Sequence, residues 1–246
     1  MNTDPKDYRP APGSHAGRIV LVTGAGDGIG KALAIALARQ SATVVLLGRT
    51  PRKLEATYDA IVAAGGPRPA LAPLNLETAT AREYDALADV LEREFGRLDG
   101  LAHVAGILGT RSPIEHHDVP TWVKVLHVNT TAAFILTQIC LPLLRRSRDA
   151  SIVFTSSSVG RRGRAYWGAY AASKFAIEGL VQVLAHELEG GTIRANSVNP
   201  GAVRTAMRLQ AYPAEDRSAL AAPEDVVGPF LYLLGPESRG VNGEAL

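Results

Sequence analysis

The chain has 246 residues, of which 46% are hydrophobic and 20% charged, with a formal net charge of +2. That is enough apolar material for one continuous core, which excludes a mostly disordered protein, and too little charge to mark a nucleic-acid or membrane-surface protein. The one cysteine, Cys140, lies in the apolar stretch FILTQICLPLL and reads as a core residue, so no disulfide framework, thiol metal site or other metal is expected.

The opening stretch, MNTDPKDYRPAPGSHAG, has no apolar run behind its charges and reads as a flexible N-terminal leader over residues 1–16, ahead of a single domain over 17–246. No apolar run reaches the ~18 residues of a membrane span, and a cytoplasmic protein is expected. RIVLVT (18–23) is a β-branched strand run, followed by a glycine-rich turn and the helical pattern IGKALAIALARQ (29–40). TVVLLG (43–48) is a second strand, and a helix from Pro51 stops at Ala64-Gly65-Gly66. ALAPLN (70–75) is a weaker strand, broken by Pro73. Helix 80–95, strand LDGLAHVA (98–105), helix 120–145, strand SIVFTS (151–156), helix 168–190 and strand TIRANSV (192–198) follow. A short helix over 223–234 and the stub GVNGEAL end the chain. Strand and helix alternating six times, with strands apolar throughout, predict an α/β single-domain Rossmann fold. Its doubly wound parallel sheet carries helices on both faces and binds ligands at the carboxyl ends of the strands.

The turn after the first strand reads Thr23-Gly24-Ala25-Gly26-Asp27-Gly28-Ile29-Gly30. Glycines there let the backbone approach a pyrophosphate, whose charge is favoured by the free N–H groups at the start of the next helix. The spacing is not G-x-G-x-x-G but Gly-x-x-x-Gly-x-Gly, from Gly24, Gly28 and Gly30. At the end of strand two, where an acidic residue would take the ribose 2′-hydroxyl of NAD, the chain has Gly48 and then Arg49. An unopposed arginine suits a 2′-phosphate, which favours NADP over NAD; the alternative is an arginine that merely caps the next helix.

The stretch SSSVGRRGRAYWGAYAASKF (156–175) holds the candidate chemistry. Tyr170 and Lys174 stand at i and i+4 on one helical face, and a nearby ammonium lowers the pKa of a phenol, which makes Tyr170 a candidate general acid/base. Tyr166 has no lysine at that offset and reads as a loop residue. The arginine clusters 145, 146, 148 and 161, 162, 164 read as solvated loops or as part of an anion site.

In order and on the right elements, Thr-Gly-x-x-x-Gly-x-Gly and Tyr-x-x-x-Lys resemble the short-chain dehydrogenase/reductase family of the small, single-domain type, over roughly residues 17–245. DGIG, LLGR, TSSSVGR, WGAYAASKFA and NPGxxRTAM resemble the YciK-like bacterial oxidoreductases within it. The resemblance implies a catalytic serine thirteen residues before Tyr170, at Ser157, and a catalytic asparagine at Asn129, which would hold the water that refills the proton. Lys174 would hold the cofactor ribose and bias Tyr170 toward phenolate. It also implies cofactor contacts from Ala105 and Gly106, from Asn75 with Leu76, and from Pro200, Gly201, Val203 and Thr205. The family's Asn-Asn-Ala-Gly appears here as His103-Val104-Ala105-Gly106, which removes an amide that would tie the sheet to the active-site loop; His103 itself reads as a packed strand-end residue. The chain ends at Leu246, where the family's last strand continues into a glycine pair, so a shortened final strand is expected.

These features imply an NADP-dependent oxidoreductase that interconverts a small-molecule carbonyl and alcohol. The alternative is a catalytically silent NADP-binding regulatory protein of the same fold. The resemblance also implies a homo-oligomer, dimer or tetramer, with apolar surface from Leu136, Leu143, Leu180 and Val183.

Overall fold

The strand runs are mostly apolar on both faces, and they meet that constraint by pairing in one parallel sheet whose central strands are covered on both sides. In the computed structural model, which describes residues 5–246, the strands are β1 (Ile19–Thr23), β2 (Thr43–Gly48), β3 (Ala70–Pro73), β4 (Gly100–His103), β5 (Ala150–Thr155) and β6 (Ile193–Val198). Their order is β3-β2-β1-β4-β5-β6, with every pairing parallel. Alternate residues of each strand feed opposite cores. On one face Leu21, Leu47, Leu101 and Phe154 meet α5 (Ala132–Leu144) and α6 (Gly168–Glu187). On the other, Val22, Leu46, Ala102 and Val153 meet α1 (Gly28–Arg39) and α8 (Gly228–Leu234). The remaining helices are α2 (Pro51–Ala63), α3 (Ala81–Phe95), α4 (Val119–Leu126) and α7 (Ala206–Ala211).

The structure departs from or adds to the sequence reading in several places. The expected helix 120–145 is α4 and α5 joined by a π-helical turn, His127–Thr131, whose wider loop turns Asn129 toward the site. By length and composition, the 26 helical residues Val119–Leu144 are apolar enough to cross a membrane, a feature hidden in the sequence by the interruptions at Lys124 and His127. The α5 part carries Leu136, Cys140 and Leu143 into the core. Leu136 and Leu143 are therefore not surface residues, and the exposed large apolar side chains of α4, α5 and α6 are Val119, Val123, Phe134, Phe175 and Val183. The leader is packed from Tyr8 on: Tyr8 lies edge-on to Tyr232 at 5.4 Å, and the wholly buried His15 bonds the Leu231 carbonyl through Nε2 at 3.0 Å. The terminal stub runs beside β6, with Leu246 N–H donating to Ser197 O at 3.0 Å and Asn199 N–H to Leu246 O at 2.8 Å.

The amino ends of the central strands are joined by charge. Arg18, just before β1, donates to Asp149 Oδ2 at 3.0 Å and to the Asp99 and Asp149 carbonyls at 3.0 and 2.8 Å. Arg194 in β6 bonds the other Asp149 oxygen, and Arg239 approaches from outside at 3.4 Å. Burial works against the Asp149 carboxylate, but Arg194 and Arg18 more than offset it and hold its pKa below the usual range.

Candidate active site

The order β2-β1-β4 places the topological switch between β1 and β4, where the connections diverge and a crevice opens at the strands' carboxyl ends. The glycine turn lines it. Gly24 has φ +69, in the left-handed region, and a Cβ on Gly30 would run into the Gly24 carbonyl. Asp27 caps α1 by accepting from Gly28 N–H at 2.8 Å and pairs with Lys53 Nζ at 2.5 Å, and that hydrogen bond to Lys53 holds its carboxyl below the ordinary value.

A cleft of about 780 Å³ follows from this turn across the sheet end. It is lined by Gly24, Gly26, Asp27, Gly28, Ile29, Gly30, Arg49, Asn75, Leu76, Ala105, Gly106, Pro200, Gly201, Val203 and Thr205, together with Ser157, Tyr170 and Lys174. Residues from positions 24 to 205 thus converge on one surface. Asn129 alone among the expected residues lies behind that surface, 3% exposed.

Ser157 ends the β5 segment and its hydroxyl accepts weakly from Val159 N–H at 3.5 Å. Tyr170 and Lys174 occupy the first turns of α6, and Lys174 Nζ lies 5.6 Å from the Tyr170 ring centroid and donates to the Thr155 carbonyl at 2.7 Å. Burial pushes the Tyr170 phenol up to about 12, opposed by the nearby Ser157 hydroxyl. Burial likewise lowers the Lys174 ammonium to about 8, with Glu178 one turn on opposing it. The sequence expectation that Lys174 would hold Tyr170 toward phenolate is not what these positions give: desolvation dominates, and Tyr170 is a neutral phenol at pH 7. A neutral phenol is a proton donor, the form that a carbonyl reduction needs.

The Asn129 amide is fully engaged. Its Oδ1 accepts from Ile107 N–H at 2.8 Å, and its Nδ2 donates to Ile107 O at 2.9 Å and to Ser173 Oγ at 3.0 Å. The side chain therefore clamps the loop after β4 against α6.

Thr23 is a functional residue that sequence reasoning missed. Its Oγ1 accepts from Val104 and Ala105 N–H at 2.9 and 3.0 Å, tying β1 to the active-site loop despite the loss of the family amide at Val104. Its place immediately before Gly24 was the available signal. A second missed feature is the roof. Arg111 lies over the Trp167 and Tyr212 rings at 5.0 and 4.7 Å, and Gln210 Nε2 donates to Gly109 O at 3.0 Å, so the loop after β4 and α7 are fastened over the cleft beside Tyr170. Nothing local in the sequence pairs residues a hundred positions apart.

A doubly wound sheet with a glycine turn at its switch point and a serine, tyrosine and lysine beside it defines a dinucleotide-dependent oxidoreductase. Residues 18–216 match the short chain dehydrogenase family. The chain belongs to that family. It is 47% identical over 236 residues to the oxidoreductase YciK of Escherichia coli K12, covering 96% of this chain and 93% of that one. A solved Pseudomonas syringae structure is 57% identical with a TM-score of 0.96, covering 98% of both chains. One from Escherichia coli CFT073, solved as a complex with NADPH, is 47% identical with a TM-score of 0.94, covering 96% of this chain and 98% of that one.

Proposed function

We propose that the protein is an NADP-dependent oxidoreductase that interconverts a carbonyl and an alcohol, with Tyr170 as general acid/base. The observation that carries this reading is the convergence of Ser157, Tyr170 and Lys174 on the cleft that begins at the glycine turn. NADP supplies and accepts the hydride when bound. The residues present fit it: the glycine turn lines the cleft ahead of α1, its tight bend leaving no space for a Cβ at Gly30, and Arg49 stands exposed at the β2 end with no carboxylate paired to it among the described residues. Ser157 and Tyr170 hold the substrate oxygen, and in reduction the Tyr170 phenol donates its proton to that oxygen. Lys174, bonded to the Thr155 carbonyl, lines the same cleft and would hold the ribose hydroxyls of the bound cofactor. The Trp167 ring lies 5.8 Å from the Tyr170 ring, and the rest of the cleft mixes apolar Leu108 and Met207 with polar Arg208 and Gln210, so the lining assigns no substrate class.

A homo-oligomer formed through the exposed apolar residues of α5 and α6, and a cytoplasmic location, belong to this proposal. A carbonyl panel assayed with NADPH and NADH in parallel tests it. Turnover with NADPH, abolished in Tyr170→Phe with NADPH binding retained, is the expected result. Undiminished turnover in Tyr170→Phe refutes the mechanism.

A further inference from the structure

His103 stands at the carboxyl end of β4, 6% exposed, where the family motif carries an asparagine. Its ring stacks on Phe154 at 4.5 Å with a 20° interplanar angle, which fixes its plane. Its Nε2 lies 2.9 Å from Thr137 Oγ1, and that hydroxyl gives its own proton to the Ala133 carbonyl at 2.8 Å. Thr137 can then only accept from the imidazole, so the proton sits on Nε2 and Nδ1 is left as a bare acceptor. No protein donor reaches Nδ1 among the described residues. Burial, reinforced by the Lys174 charge, pushes the imidazole pKa down to about 3, so the ring is neutral at any working pH.

Beside Lys174 is a small cavity of about 10 Å³ with a mixed lining: His103, Thr155, Lys174, Thr23 and Asn129 supply polar groups, and apolar residues such as Val128 and Ile177 close the rest. That volume matches a single water. The Thr155 hydroxyl is buried there without a protein partner, although its carbonyl takes one Lys174 N–H. The Thr23 and Asn129 polar groups are engaged with the loop after β4. Three residues that line one water-sized space thus carry a lone acceptor, an unpartnered hydroxyl and an ammonium with N–H groups to spare.

We propose that His103 is a positioning residue for Lys174: its Nδ1, with the Thr155 hydroxyl, holds one water whose oxygen accepts from the lysine ammonium. The water donates to Nδ1 and to Thr155 Oγ1, which gives both acceptors a donor and steadies the charged form of Lys174. The other titratable groups acting there are Tyr170 and Glu178, both on α6; β5 contributes only the Thr155 carbonyl and hydroxyl, and the π turn only Asn129.

The proposal rests on Lys174 belonging to the active site, but its test reads ionisation and needs no turnover. The chain has five lysines, so the Lys174 side-chain NMR signal can be assigned by its loss in Lys174→Met and titrated in the intact protein. His103→Phe keeps the stack on Phe154 and deletes the acceptor; the Lys174 midpoint should fall by about 0.7 of a pH unit, the equivalent of one net hydrogen bond. His103→Gln, which restores an acceptor, should recover most of that shift, and Thr155→Val should give a smaller fall in the same direction. Nitrogen NMR of the wild-type imidazole should show the proton on Nε2. A proton on Nδ1, or a Lys174 midpoint unchanged in Thr155→Val and in any folded His103→Phe, overturns the proposal. A wild-type protein that turns over no carbonyl refutes the proposed function and leaves this titration readable.

Discussion

Replacing Arg49 by alanine should separate the two nicotinamide dinucleotides. Arg49 is exposed at the end of β2 and lines the cleft, while Asp27, the acid that also lines this end, is tied to Lys53 at 2.5 Å. A 2′-phosphate placed there meets a guanidinium that no carboxylate has neutralised. A hydrogen bond to a charged group contributes about 1.5–3 kcal/mol, and solvent exposure draws that toward about 1–2 kcal/mol. With a factor of ten for each ~1.4 kcal/mol, the Kd for NADPH should rise about 5- to 30-fold and that for NADH should stay where it is. Fluorescence titration with each cofactor measures both constants. Trp167 lies in the cleft wall as a reporter. High salt should narrow the wild-type preference, because the pair is exposed. An equal loss for both cofactors, or an unchanged NADPH affinity, refutes the role given to Arg49.

Three further outcomes are expected. Gly30→Ala should abolish cofactor binding even where the fold survives, because the added methyl displaces the Gly24 carbonyl and with it the turn; near-normal NADPH affinity by the same titration contradicts this. Asp149→Ala should cost about 3–5 kcal/mol in chemical denaturation, since it leaves Arg18 and Arg194 buried without their counter-charge. The folded carboxyl lies below its ordinary 3.8, so this stabilisation is present above that value and is lost as pH falls through the lower folded one; the wild type and the variant should converge only in that acid window. The pH profile of reduction should fall above about 8, as the Lys174 ammonium is lost while the Tyr170 phenol, near 12, stays protonated. A rate that is flat to pH 10 excludes a charged Lys174 from the mechanism.

The elements that could be read from sequence are those whose signal is local. β2 has the bounds read from TVVLLG, and α1, α3 and α6 begin within a residue of expectation, because caps and apolar periodicity are written in neighbouring residues. Ser157, Tyr170 and Lys174 were found by spacing, and the cleft gathers all three. What was missed depends on residues far apart in the chain. The sign of the Tyr170 shift depends on how much protein surrounds its hydroxyl, which no i,i+4 spacing reports. Leu136 and Leu143 looked available as surface because the π turn that rotates α5 has no sequence mark. The packed leader depends on His15 meeting the Leu231 carbonyl, 216 positions away.

The Arg18–Asp149–Arg194 network also constrains the order in which the chain can mature. Arg18 leaves the ribosome 131 residues before Asp149, and Arg194 follows 45 residues after that. Until β6 has been made, a nascent chain that pairs β1, β4 and β5 holds Asp149 against Arg18 alone, without Arg194, so the carboxylate disfavours burial of that partial sheet. The late strand then supplies the missing guanidinium and the sheet edge together. Burial of this sheet end is in this way tied to the arrival of β6, which shortens the time that an open edge beside β5 is exposed to a neighbouring chain.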